Sequence, residues 1–264
     1  MNRIIEHCAG WTIGAQSEHP IHFYVDSECF KAKEDETNVA YLIEPEEVIS
    51  PGFYATVIQN RHKFKYILTD KEEILNRCDN AVLFEYGTAW IQENPHPEKI
   101  HGISTIIGFK NMAEGHRLRH NLWKHRHLIQ TPKYFYASHH GGPALEPGND
   151  LIIDEHNRNE LFKYEFQVVI ENKMTRYWFT EKLCDCFSSR VVPIYYGARE
   201  IGNYFDLRGM IIVKDLASII RACNGITESR YAEMLPYIEE NEQRVKQYFK
   251  LGDRVTQKLK ELFG

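Results

Sequence analysis

The chain has 264 residues, 43% hydrophobic and 26% charged, an ordinary globular composition that excludes a disordered or low-complexity protein. Its formal net charge of −5 argues against a general nucleic-acid binder, which would carry a basic face. There is no run of apolar residues long enough to span a bilayer and no apolar signal core in the stretch from Met1 to Trp11; the six cysteines form no C-x-x-C pair, so a reduced, cytoplasmic protein is expected.

Short apolar runs alternate with helix-like runs, which predicts an α/β protein with largely parallel sheets. Strands are expected over residues 21–25, 39–43, 66–68, 81–84, 103–109, 134–137, 166–170, 191–195 and 210–213. Helices are expected over 53–62, 71–78, 115–128, 180–188, 216–222 and 229–249, with Gly252 interrupting the last before a final charged helix. The polar segment from Glu93 to Lys99 holds Pro95 and Pro97 and reads as a linker. It predicts an N-terminal α/β domain over 1–98 and a C-terminal α/β domain with terminal helices over 99–264, with a cleft between them. A second loop, 139–149, is flexible by composition.

Charge is uneven along the chain. Between Lys110 and Lys133 lie Arg117, Arg119, Lys124 and Arg126, with His116, His120, His125 and His127 among them and Glu114 opposing. One basic segment in an acidic protein suits a small anionic ligand such as a diphosphate. His116 and His120 have helical spacing for a shared metal, but no zinc motif surrounds them, so no metal is expected.

The most informative stretch runs from Phe166 to Gly197. An apolar strand ends in Glu171-Asn172. After a loop, Trp178-Phe179-Thr180-Glu181-Lys182 opens a helix with Thr180 at the N-cap. A helix N-terminus presents backbone N–H groups and a positive dipole end to phosphate, and Lys182 adds a charge beside it. Glu181 can accept from sugar hydroxyls. A further strand then runs through Val192-Pro193-Ile194 into Tyr195-Tyr196-Gly197, where an aromatic face could stack on a base or sugar. Taken alone, Thr-Glu-Lys at a helix start is common on solvated helices; the whole order of elements is much rarer.

That order resembles the signature of glycosyltransferase family 10, the α-1,3/1,4-fucosyltransferases: Glu-Asn, a short loop, an aromatic, any residue, Thr-Glu-Lys, then Val-Pro-Ile-Tyr-Trp-Gly. The resemblance is strong from Glu165 to Phe205 and weaker over 39–90 and 104–128. It implies a GT-B-like fold of two Rossmann-like domains facing a cleft, the N-terminal one reduced. It also implies inverting, metal-independent transfer of fucose from GDP-fucose to a glycan or glycoconjugate hydroxyl, with no cofactor besides that co-substrate. Carried over, Trp178, Glu181 and Lys182 contact the nucleotide, and Glu171, Asn172, Thr180 and Tyr195 complete the donor site. The family usually has Tyr where Trp178 stands and small residues where Ser189-Arg190 stand, departures that bear on donor choice. A helix arginine also binds the donor diphosphate in the family, and Arg117 and Arg119 are both candidates here. The stretch from Asn38 to Pro45 resembles the strand that ends in the family's catalytic base, which nominates Glu44. Glu46 and Glu47 compete as neighbours in a solvated turn, and Asp70 is either a cleft residue or a helix N-cap. A transferase with another donor, such as a UDP-pentose or other GDP-sugar, and a non-catalytic nucleotide-sugar-binding module are the competing readings.

Overall fold

The computed structural model describes residues 3–92, 98–138, 151–153 and 158–264; most of the segment read as a linker and the 139–149 loop lie outside these. In chain order the first elements are β1 (Ile4–His7), β2 (Ile21–Val25), β3 (Asn38–Leu42), α1 (Glu46–Ile49), α2 (Phe53–Gln59), β4 (Tyr66–Thr69), α3 (Glu72–Arg77) and β5 (Ala81–Leu83). Then follow β6 (Ile100–Ile107), α4 (Glu114–Lys124), β7 (Lys133–Ala137), β8 (Leu151–Ile153), β9 (Tyr164–Ile170), α5 (Glu181–Ser188), β10 (Val192–Tyr196) and β11 (Ile211–Ile212). The chain ends in α6 (Leu216–Asn224), α7 (Glu228–Val245) and α8 (Leu251–Phe263). No helix among the described residues is long and apolar enough to cross a membrane.

Contacts divide the chain into two units. The first comprises Met1–Thr88, Thr175–Trp178 and Tyr248–Gly264; the second comprises Ala89–Met174 and Phe179–Gln247. The break thus falls at Thr88, ahead of the expected boundary at residue 98, and the C-terminal helix returns to the first unit.

The first unit is built on a five-stranded parallel sheet in the order β1-β2-β3-β4-β5. Strand alternation explains its two cores. Tyr24, Ala40, Leu42 and Ile67 point to one face and pack with Phe53, Val57 and Ile58 of α2 and Ile74 of α3. Phe23, Val39, Tyr41 and Leu68 point to the other, where Val255 and Leu259 of α8 cover them. That demand for cover on both faces is why the last helix belongs to the first unit. β1 was not expected from the sequence; it is an edge strand whose residues are only partly buried.

The second unit holds a six-stranded parallel sheet in the order β11-β10-β9-β6-β7-β8. Its central strand β9 is buried throughout. From β6 the chain adds strands outward to β8, then crosses back to β9 and adds strands in the opposite direction. The order therefore reverses between β6 and β9, and the carboxyl ends of strands at such a reversal are where α/β sheets bind ligands.

Candidate functional site

The reversal places the β6–α4 connection beside the residues that follow β9. Glu171, directly after β9, is fully buried. Its Oε1 accepts from the Thr180 backbone N–H at 2.8 Å, and the Thr180 hydroxyl donates to Oε2 at 2.9 Å. Thr180 is the N-cap of α5, and its Oγ1 accepts from the backbone N–H of Lys182 at 3.3 Å and from Lys182 Nζ at 3.1 Å. Lys182 Nζ also lies 3.1 Å from Glu181 Oε1 and 3.8 Å from Glu171 Oε2. Burial pushes the Glu171 carboxyl above its ordinary value, opposed by the Lys182 ammonium and the Thr180 bonds. The motif is thus one connected network. Two of the N–H groups expected to face a phosphate are already satisfied by Thr180, because Leu183 donates to its carbonyl as Lys182 does to its hydroxyl. Lys182 keeps about a quarter of its side-chain surface open.

The opposite wall is the start of α4. The Gly115 N–H donates to the Asn172 carbonyl at 2.9 Å, and a Cβ on Gly115 would lie 1.8 Å from the Glu171 carbonyl oxygen. Only glycine lets this helix approach the end of β9 so closely. One turn on, Arg119 is buried; its Nε and Nη2 donate to the Ile170 carbonyl, and Nη2 also reaches Asn172 Oδ1 at 2.9 Å. Arg117, by contrast, is exposed and folds back on the Met112 carbonyl at 2.8 Å. The structure therefore brings Arg119, not Arg117, together with Glu171 and Asn172.

His116, which the sequence suggested only as a weak metal ligand, reports the field of this wall. Its Nδ1 accepts from the Ala113 N–H at 3.2 Å, so the ring is a neutral acceptor. Burial, and then the charges of Arg119, Lys110, Lys182 and His120, depress its basicity to about 4. Two of these groups are held on the residues that follow β9, Arg119 on Asn172 Oδ1 and Lys182 beside Glu171, and give this wall the positive charge that a diphosphate requires. His120 Nε2 is held at 2.9 Å from the Gly108 carbonyl, so the two histidines do not form a ligand pair. Among the described residues no group of three or more His, Cys, Asp or Glu side chains could hold a metal ion.

Two aromatic residues differ from expectation. Tyr195 on β10 is buried, its Oη accepts from the Ala198 N–H at 2.9 Å, and a Cβ on Gly197 would fall 2.2 Å from that oxygen. It shapes the floor beneath Gly197 and offers no open face for stacking. Trp178 belongs to the first unit and is fully buried, with Lys71 Nζ 5.1 Å from its ring centroid and its Nε1 without a hydrogen-bond partner among the described residues. A third departure, Arg190, sits before the N-terminal end of β10, held by Glu239 at 2.9 Å and Glu242 at 2.8 Å. It therefore lies at the far end of the strand from the Glu171 network.

In the first unit, Asp26, Glu44 and Asp70 lie past the carboxyl ends of the inner strands β2, β3 and β4. Glu44 is partly buried, and its Oε2 is sealed from solvent with no hydrogen-bond partner among the described residues. The neighbouring candidates are engaged elsewhere: Glu46 and Glu47 begin α1, and Glu46 Oε2 accepts from the Tyr54 N–H at 3.2 Å. Asp70 caps no helix; it is buried against Lys71 Nζ at 2.5 Å, which also donates to the Ile43 carbonyl at 2.6 Å. Asp26 and Lys71 escaped the sequence reading; the signal for Asp26 was its place directly after a strand.

With this geometry in hand, comparison with known proteins is specific. Residues 145–261 match the family model described as glycosyltransferase family 10 (fucosyltransferase), C-terminal part. That span contains the Glu171-Asn172, Thr180-Glu181-Lys182 and Tyr195-Tyr196-Gly197 motifs, as the resemblance required. An α-(1,3)-fucosyltransferase, FucT, of Helicobacter pylori is 29% identical over 101 residues, a match covering 36% of this chain and about a fifth (21%) of that protein. Among solved structures, an α1,3-fucosyltransferase with GDP-fucose superposes with a TM-score of 0.52 at 15% identity, covering 84% of this chain and 69% of the other. The pneumococcal O-GlcNAc transferase GtfA, in complex with UDP and GlcNAc, gives 0.52 at 11% identity, covering 91% and 57%. The two parallel-sheet α/β units are the fold of GT-B glycosyltransferases.

Proposed function

We propose that this chain, which carries the family 10 domain match over residues 145–261, is a glycosyltransferase that moves fucose from GDP-fucose to a hydroxyl of a glycan or glycoconjugate. The observation that carries the reading is the placement of Arg119 against Asn172 and of Lys182 beside Glu171 at the β6/β9 reversal. A diphosphate leaving group needs such fixed positive charge, because negative charge accumulates on it as the glycosidic bond breaks. Lys182 and Arg119 supply that charge without a metal. Glu171 and Thr180 hold Lys182 in place, and Asn172 and Glu181 offer polar atoms to the donor.

Transfer is a single displacement with inversion. The acceptor oxygen forms a bond to the anomeric carbon as the bond to the β-phosphate oxygen breaks, and GDP leaves with the electron pair. Glu44 takes the acceptor proton. Glu44 is only partly buried, and its Oε2 has no hydrogen-bond partner among the described residues, which supports this role. One observation favours a second donor: the GtfA neighbour, solved with UDP, is as similar by TM-score as the fucosyltransferase solved with GDP-fucose.

A thermal-shift panel with GDP, UDP, CMP and their common sugars, with and without EDTA, tests the donor. Saturation at about a hundred times the dissociation constant stabilises a protein by about 2.7 kcal/mol. Selective stabilisation by GDP and GDP-fucose, indifferent to EDTA, is expected; a response confined to UDP species would overturn the donor, and no response at all would overturn the enzymatic reading. Glu44→Gln should lower turnover about 10²- to 10⁴-fold while leaving GDP binding intact.

A further inference from the structure

We infer that Asp26 is a positioning residue for Glu44, gripping the backbone on which Glu44 stands and setting the charge beside its carboxylate. The inference rests on the proposed reading of Glu44 as the base. Glu44 lies beyond the last ladder residue of β3, where a chain is normally free to move. Here both peptide groups flanking it are tied down by side chains. Asp26 Oδ1 accepts from the Ile43 N–H at 2.7 Å and from the Glu44 N–H at 3.2 Å. Lys71 Nζ donates to the Ile43 carbonyl at 2.6 Å, and the Tyr54 hydroxyl donates to the Glu44 carbonyl at 3.0 Å. Bonds from three side chains, Asp26, Tyr54 and Lys71, hold one pair of residues.

Asp26 itself adopts a costly conformation to do this. Its φ is +47°, in the left-handed region that non-glycine residues seldom enter, although Asp and Asn tolerate it best. Such strain persists where surrounding structure over-determines it, and it concentrates at functional sites. The charge arrangement is equally costly. Burial, with a smaller contribution from Glu44, pushes the Asp26 carboxyl up to about 7 against the lowering effect of the two backbone bonds and Lys71. The other titratable groups that feel Asp26 are Cys8, Cys29 and Tyr54, each raised by it.

The test uses the full chain with GDP-fucose as probe and GDP release as readout, alongside GDP binding. Asparagine keeps an acceptor for the two N–H groups and tolerates the left-handed backbone, while removing the charge. Asp26→Asn is expected to bind GDP as the native chain does and to lower kcat about tenfold to a hundredfold. Asp26→Ala, lacking the acceptor, is expected to lose more, so that Asn acts as a partial rescue. Native kcat in Asp26→Asn would overturn the inference, as would a loss of GDP binding in step with kcat. A second measurement does not depend on those variants: carbon-13 titration of the Asp26 carboxyl in the native chain and in Glu44→Gln. A midpoint near neutrality that falls in Glu44→Gln supports the coupling; an unchanged midpoint overturns it. If Glu44→Gln keeps its turnover, the base assignment fails; if it loses turnover while Asp26→Asn does not, only the role of Asp26 fails.

Discussion

At the scale of single residues, Thr180 is the joint of the donor motif. One hydroxyl donates to Glu171 and accepts from both the backbone and the ammonium of Lys182. Valine at this position has nearly the same shape and none of these bonds, and it leaves a buried carboxylate short of a donor. Thr180→Val should cost about 1–3 kcal/mol in a denaturant titration and weaken GDP binding; Thr180→Ser should retain most of both. A Val variant with native stability would show that the network is ornamental. The same scale shows where residue type misled. Trp178 and Tyr195 are aromatic and lie in the motif, which suggested stacking, but both are buried with their rings enclosed. A one-dimensional pattern carries chemical type and spacing, not which face of a ring is left open.

At the scale of elements, the approach of α4 to the end of β9 decides which arginine meets Asn172. Arg119 lies four residues after Gly115, so the turn that brings Gly115 against Asn172 also brings the guanidinium to the Ile170 carbonyl. Arg117 lies off that face. Gly115→Ala places a methyl against the Glu171 backbone and must push the helix away. The expected outcome is a loss of about 1–3 kcal/mol in stability together with weakened GDP binding, read by denaturation and calorimetry. Native affinity in that variant would mean that the close approach is not what positions Arg119. The donor-side elements were legible because their signals are local: a fully apolar strand, an N-cap threonine and a second apolar strand in a fixed order. The choice between Arg117 and Arg119 was not, since it depends on the neighbour α4 packs against. β1 was missed because an edge strand is only half-buried and its alternation is short.

At the scale of the whole molecule, two parallel sheets were legible from alternating strands and helices, while the allocation of chain to each unit was not. Val255 and Leu259 are four apart and announce an amphipathic helix, but nothing local tells which sheet it covers. It covers the first, so the second unit is an insertion within the first. A fragment ending at residue 98 would leave Phe23, Val39, Tyr41 and Leu68 without their helix. Such a fragment should lack a cooperative thermal transition by circular dichroism; a sharp transition would show that the sheet needs no α8.

The same return of the chain sets an order on the ribosome. Chains emerge N-terminus first, and domains generally fold as they are completed. Here the strands of the first sheet are made early yet must wait, one face bare, while nearly all of the second unit is translated. Of the two units, the one whose strands are made first is the one finished second, and its exposed face during that interval is where chaperones would be expected to bind the nascent chain.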